Sequence, residues 1–292
     1  MKKLLNVLFV LTFSFCFSQT STQLIDSIIK VNEFHTECTG PGCWKSKQYL
    51  NWEKLKSKLS TDEIVELSKH QNPVIRTYAA TELIQTSKYP LSKILNFELT
   101  KPALIETLDG CLGDYESTSS VIYNEYWNKI RFEALEGTSN NDSIKNLVMS
   151  KKVKADIEMK KTDSIIIFSK NKVDPLLYGK ALSNRTYSRG YNSRILELLL
   201  NYNDFVAFNY LNKHYPKEYD LQFRTYFKTK FLDAKFETEN EIYDLLGFID
   251  FLVESEDSDL KKIAINKLKK DDSWKAEEDW FMKSLEKNGI KF

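Results

Sequence analysis

The sequence predicts a mainly α chain, an α-solenoid or another stack of short helical hairpins, and three observations carry that expectation. Two capping boxes, at Ser60 and Thr238, each open a run of apolar residues at helical spacing. Glycine and proline are scarce, nine and six in 292 residues, too few for a loop-rich or disordered chain. Hydrophobic residues make up 42% and aromatics 13%, enough for a sizeable core.

The N-terminus reads as an export signal over residues 1–18. Lys2 and Lys3 form a basic start, and the apolar run from Leu4 to Phe17 falls short of the roughly 20 residues a spanning helix needs. Cleavage after Ser18 leaves Gln19 as the new N-terminus. The rival, a lipoprotein acylated at Cys16, fits less well because bulky Phe15 stands where a small residue is wanted. A periplasmic or extracellular location follows. With 42 basic and 41 acidic side chains, the chain is no polycation for nucleic acid or anionic lipid. No later stretch is apolar enough to span a bilayer.

Residues 19–59 form an N-terminal segment marked by a cysteine pair. Cys38 and Cys43 flank Thr-Gly-Pro-Gly, with His35 before them and Trp44 after. His35, Cys38 and Cys43 supply three ligands but no evident fourth, and an exported thiol pair is expected to be oxidised, so no metal is assigned. Cys111 is the third mature cysteine, which leaves two connectivities open on residues alone. Cys38–Cys43 closes a short loop worth about 2 kcal/mol, and Cys43–Cys111 a long one worth about 4 kcal/mol.

Residues 60–289 form the helical domain. Ser60-Thr-Asp-Glu63 starts a helix near Thr61 that ends at Gln71-Asn72-Pro73, because proline disfavours the helical conformation in the residue before it. A second helix begins at once, since proline suits a first turn. Ile75, Ala79 and Leu83 stack along it, and Arg76, Thr77 and Glu82 face away or toward a neighbouring turn. Between residues 100 and 126 the pattern breaks. Pro102, Gly110, Gly113 and a Ser/Thr run interrupt any long helix, and "SVIYNEYW" (residues 120–127) favours strand, so a small β-hairpin or long loop is expected there. "DSIIIFS" (163–169) fits a strand or a buried helical turn. Thr238-Glu-Asn-Glu241 opens the clearest helix, with Ile242, Leu245, Ile249 and Leu252 in phase. The last helix is expected from about Ser273, with Gly289 as a left-handed cap.

"HQNPVIRTYAATEL", residues 70–83, resembles the turn and second helix of a HEAT repeat, in its Asn-Pro corner, its Val then Arg, and its paired alanines. The longer run from Cys43 to about residue 200 is similar to exported bacterial HEAT-repeat proteins of uncharacterised function. The resemblance implies a HEAT-like α-solenoid used as a binding surface or scaffold, with cysteines matching Cys43 and Cys111, and so a bridge between those two.

Catalytic signals are missing from the sequence. His35, His70 and His214 lack helical H-E-x-x-H spacing, and there is no G-x-S-x-G elbow or phosphate-cradling glycine loop. No catalytic, cofactor-binding or metal residue is therefore assigned, and no cofactor. The aromatic cluster from Tyr187 to Tyr219, with Arg185, Arg189 and Arg194 beside it, offers two readings. Arg185, Arg189 and Tyr191 form a partner-binding face, because Tyr and Arg serve as interface anchors. Alternatively Phe205 and Phe208 are core and the tyrosines line seams between helices. The expected function is an exported module binding a protein or peptide. The alternatives are an envelope hydrolase with a site assembled from distant residues, and an inhibitor or immunity protein.

Overall fold

The computed structural model describes residues 19–135, 141–171 and 173–292. Residues 1–18, where the expected export signal and Cys16 fall, lie outside the described residues. The fold is mainly α with a small three-stranded sheet, and it divides into two compact units, up to Asn141 and from Asp142. No described helix is long and apolar enough to cross a membrane.

The first unit opens with α1 (Ser21–Val31), β1 (Glu33–Thr39), α2 (Lys47–Lys56), α3 (Thr61–Leu67), α4 (Pro73–Gln85) and α5 (Leu91–Glu98). Then come β2 (Leu104–Gly110), β3 (Leu112–Ser117) and α6 (Thr118–Glu133). The boundary expected at 59/60 is not where the chain separates, because Trp52 and Leu55 of α2 are buried and Trp52 stacks on Tyr78 of α4. The Ser60 capping box is present, and Asn72 caps α4 with its side chain while Pro73 occupies the first turn. Helix α4 is buried on nearly every side and packs on α1, α3, α6 and β1, so its weak amphipathicity reflects a central position.

Arg76 of α4 shows how a polar residue is accommodated there. Its Nε and Nη2 donate to the two Glu98 carboxylate oxygens at 3.0 Å, Nη1 donates to the carbonyls of His70 and Gln71, and Nη2 also donates to that of Lys101. All five guanidinium N–H groups therefore have acceptors. Thr118 adds a hydroxyl donor to Glu98.

The sheet has the order β1-β2-β3, with β1 parallel to β2 and β2 antiparallel to β3. The hairpin expected near 100–126 is thus present over Leu104–Ser117. The strand-favouring "SVIYNEYW" is instead helix α6. Ser117 caps that helix by accepting the Ser120 N–H, and Ile122, Tyr123 and Ile130 bury one side of it. Burial of a helical face outweighs β propensity here. β1 itself gives little sequence signal, because its partner lies some way along the chain.

The second unit contains α7 (Asp142–Ala155), α8 (Ile157–Phe168), α9 (Pro175–Asn184), α10 (Asn192–Tyr202) and α11 (Phe205–His214). It continues with α12 (Asp220–Tyr226), α13 (Glu239–Glu254), α14 (Ser258–Lys270) and α15 (Glu278–Lys287). "DSIIIFS" resolves as the last turns of α8, capped at its start by Asp156. The Thr238 capping box starts α13. Phe248 of α13 is fully buried among Phe208, Phe227 and Phe231, the aromatic centre of this unit. After a 3-10 turn over Ser273–Glu277, α15 ends on Gly289 at φ +68°. The Ile290 N–H reaches the Leu285 carbonyl and the Gly289 N–H that of Glu286, which completes the C-terminal cap.

Candidate functional site

The residues singled out in the sequence fall into two places. In the first unit, Thr39 and Trp44 exchange backbone hydrogen bonds, and Gly40 and Cys43 take positive φ, so the loop between them is tight. That turn brings the Cα atoms of Cys38 and Cys43 to 4.2 Å and their disulfide forms. The longer bridge to Cys111 is therefore not made, although the loop touches the hairpin through a Gly40 N–H to Gly110 carbonyl bond. Cys111 stands exposed at the hairpin turn as a free thiol. The Cys38–Cys43 bridge takes both thiols away from any metal. Among the described residues no group of three His, Cys, Asp or Glu side chains is gathered to hold one.

In the second unit, Arg185, Arg189 and Tyr191 do not share one accessible face. The Arg185 guanidinium donates to Asp163, which is wholly buried, at 2.8 and 3.0 Å, and to the carbonyls of Val153 and Lys154. It holds α8 to the end of α9. Tyr191 is half-buried, its hydroxyl 2.9 Å from Ser164 and its ring 4.7 Å from Tyr187. Arg189 alone projects into solvent, near Tyr215 and Glu218. The neighbouring tyrosines line seams: Tyr187 donates to the Ala181 carbonyl, and Tyr210 accepts the Tyr187 N–H. Phe208 is core, and Phe205 is half-buried against Phe248.

A cavity of about 310 Å³ lies between the turn after Phe231 and the end of α14. Its deepest polar group is Lys267, whose ammonium donates to the Ala234 carbonyl and to Asp271 at 2.7 Å, with the Phe236 ring 5.0 Å away. Those partners make Lys267 a tie between segments.

The first unit holds the arrangement that sequence reasoning missed. His35 places Nδ1 2.9 Å from the Ser46 hydroxyl and Nε2 2.8 Å from Glu33. Ser46 in turn accepts the Tyr49 N–H and caps α2. With the imidazole proton on Nε2, Ser46 donates to Nδ1 and His35 donates to Glu33, so every proton has one acceptor. A serine, a histidine and a carboxylate in series could in principle activate the hydroxyl. Here, however, the hydroxyl already serves the helix cap and the imidazole is buried. No spacing rule finds this chain, because the disulfide loop sets the distance between His35 and Ser46.

Beside it, Phe34, Trp52 and Tyr78 floor a cleft of about 100 Å³ rimmed by Glu37, Lys56 and Glu82. The rim charges are paired: Lys56 meets Glu82 at 2.7 Å, and Lys45 meets Glu37 at 2.9 Å. The hydrogen bond and charge of Lys45 hold the Glu37 carboxyl below the ordinary carboxylate range.

The sheet completes the surface. Leu104, Leu112 and Tyr115 on the hairpin, and Trp44 beside it, are each at least 69% exposed, with Leu104 and Tyr115 on one face of the hairpin and Leu112 on the other. No family model matches the chain, and no curated protein or solved structure matches it either.

Proposed function

We propose that this chain is an exported binding module that takes a protein or peptide partner on the sheet of its first unit, over a HEAT-like framework of helical hairpins. The observation that carries the reading is the hairpin: Leu104 at the start of the central strand β2, and Leu112 and Tyr115 on the edge strand β3, all stand exposed. The Cys38–Cys43 disulfide supports an oxidising compartment, in keeping with export. The test is affinity capture of the chain's partners at near-physiological salt, comparing wild type with Leu104→Ser/Leu112→Ser and with Arg189→Ala/Tyr191→Ala. Loss of a captured protein with the hairpin variant is expected. If both variants retain everything that wild type retains, or if wild type captures nothing and turns over a hydrolase substrate, the reading falls.

The Ser46–His35–Glu33 series is where the second reading, an envelope hydrolase, is tested, although Ser46 serves a helix cap and His35 is buried. A fluorophosphonate probe that labels wild type and spares Ser46→Ala would establish it. Absence of labelling would remove it.

A further inference from the structure

The two edges of the sheet are finished differently. Along β1 the outward backbone groups are closed by side chains. The Tyr78 hydroxyl accepts the His35 N–H at 2.8 Å and donates to the His35 carbonyl at 3.0 Å, and the Gln48 amide donates to the Glu33 carbonyl at 2.8 Å. β3 has β2 on one side only. The Thr118 N–H bonds the Ala103 carbonyl, so these two form a hydrogen-bonded pair, and in an antiparallel ladder such pairs alternate. Counting along the register, Glu116 and Asp114 turn their backbone groups toward β2, and Tyr115 and Gly113 turn theirs outward. Consistent with this, the Tyr115 N–H is held by the Asp114 carboxylate at 2.6 Å.

Charge says what this edge admits. No Lys or Arg occurs between Lys101 and Lys129, whereas Glu106, Asp109, Asp114 and Glu116 all stand on the two hairpin strands. A second copy pairing β3 with β3 would set these carboxylates against one another, and like charges across strands are destabilising. Nucleic acid and anionic lipid are repelled for the same reason. An extended chain carrying cations meets the opposite situation.

We propose that β3 is a strand-addition site for an extended Lys- or Arg-containing segment of a partner protein, which hydrogen-bonds Gly113 and Tyr115 and sets its cations against Asp114 and Glu116, on the face opposite Tyr115. The segment displaces the Asp114 carboxylate from the Tyr115 N–H and lays its apolar side chains over Tyr115 and Leu104. This rests on the reading of the chain as a binding module and names the class of its partner.

The test titrates the full chain with alternating Lys/Val and Glu/Val peptides of about eight residues, the length of an ordinary strand. The Lys/Val peptide should bind at least about tenfold more tightly, a difference of about 1.4 kcal/mol. The preference should shrink as salt rises to about 0.5 M. Tyr115→Pro removes one outward N–H without touching the β2 ladder and should abolish binding. Asp114→Lys/Glu116→Lys should reverse the preference, with helical content by circular dichroism unchanged in both variants. Equal binding of the two peptides, binding that survives Tyr115→Pro, no binding of either, or concentration-dependent self-association lost in Tyr115→Pro would each overturn the proposal. Should the peptides fail while Leu104→Ser/Leu112→Ser still loses a captured partner, the binding-module reading stands and strand addition does not.

Discussion

Tyr78 uses one hydroxyl to satisfy both backbone groups of His35, accepting the N–H at 2.8 Å and donating to the carbonyl at 3.0 Å. The phenol lies under Phe34 and Trp52, and burial pushes its pKa well above the ordinary tyrosine value. Tyr78→Phe keeps the ring packing and leaves the His35 N–H and carbonyl without partners. Stability should fall by about 1–3 kcal/mol, the cost of unsatisfied buried polar groups. Urea unfolding with an unchanged slope would report this. A loss below about 0.5 kcal/mol would mean that water takes over the role.

Arg76 and Glu98 are both buried, so removing one strands the other. Arg76→Met leaves the Glu98 carboxylate buried without its counter-ion. It should cost about 3–5 kcal/mol, as for a broken buried pair. Arg76→Met/Glu98→Leu should recover most of that loss, because an apolar pair leaves no uncompensated charge. Thermal denaturation of the two variants separates the outcomes. Equal losses would show that the carbonyl contacts to His70, Gln71 and Lys101 matter more than the ion pair.

Gly247 of α13 faces Phe205 of α11 with no room between them: a Cβ there would run into the Phe205 ring. That ring is locked edge-on to Phe248 at 5.1 Å. Gly247→Ala should therefore destabilise by about 1–3 kcal/mol through overpacking, against the usual gain from replacing a helical glycine. Adding Phe205→Leu should restore stability. If Gly247→Ala alone is stabilising, the two helices have freedom to move apart.

These sites mark how far sequence reasoning reached. The starts of α3, α4 and α13 were legible because capping boxes and the Asn-Pro corner are local chemistry, complete within four residues. The hairpin was legible from Pro102, Gly110 and Gly113. What followed it was not, because "SVIYNEYW" has strand-type residues whose conformation is decided by packing of α6 on α4. β1 stayed hidden for the complementary reason, since its hydrogen bonds come from β2 and from Tyr78. The tie made by Arg185 is not legible locally, because its acceptor, Asp163, sits inside "DSIIIFS" and is buried only once α8 forms. The Ser46–His35–Glu33 series likewise depends on a loop closure that no periodicity encodes.

The cysteines allow a chemical check. On the folded chain starting at Gln19, a thiol reagent should find one equivalent, at Cys111, and none in Cys111→Ser. Reduction should expose Cys38 and Cys43 and lower stability by about 2 kcal/mol, the entropy of a short closed loop. Peptide mapping without reductant that recovers Cys43 joined to Cys111 would contradict this connectivity.

Asp271 gives the second unit a pH dependence. Burial acts to raise its pKa, but the hydrogen bond from Lys267, with that from the Ser273 N–H, outweighs burial and holds the carboxyl below its ordinary value. A depressed folded value means that the native state favours the ionised form more strongly than the unfolded chain does. Its contribution is complete above the unfolded value of about 3.9 and is lost as pH falls through the folded one. Lys267, buried against Phe231 and Phe236, then loses its counter-ion and keeps only the Ala234 carbonyl and the two rings. Wild type should be more stable than Asp271→Asn at neutral pH, and the gap should close as pH falls below about 4. Melting temperatures of the two proteins across that range test this. A gap that persists unchanged to the lowest pH at which both remain folded would show that Asp271 acts by accepting the Ser273 N–H and not through its charge.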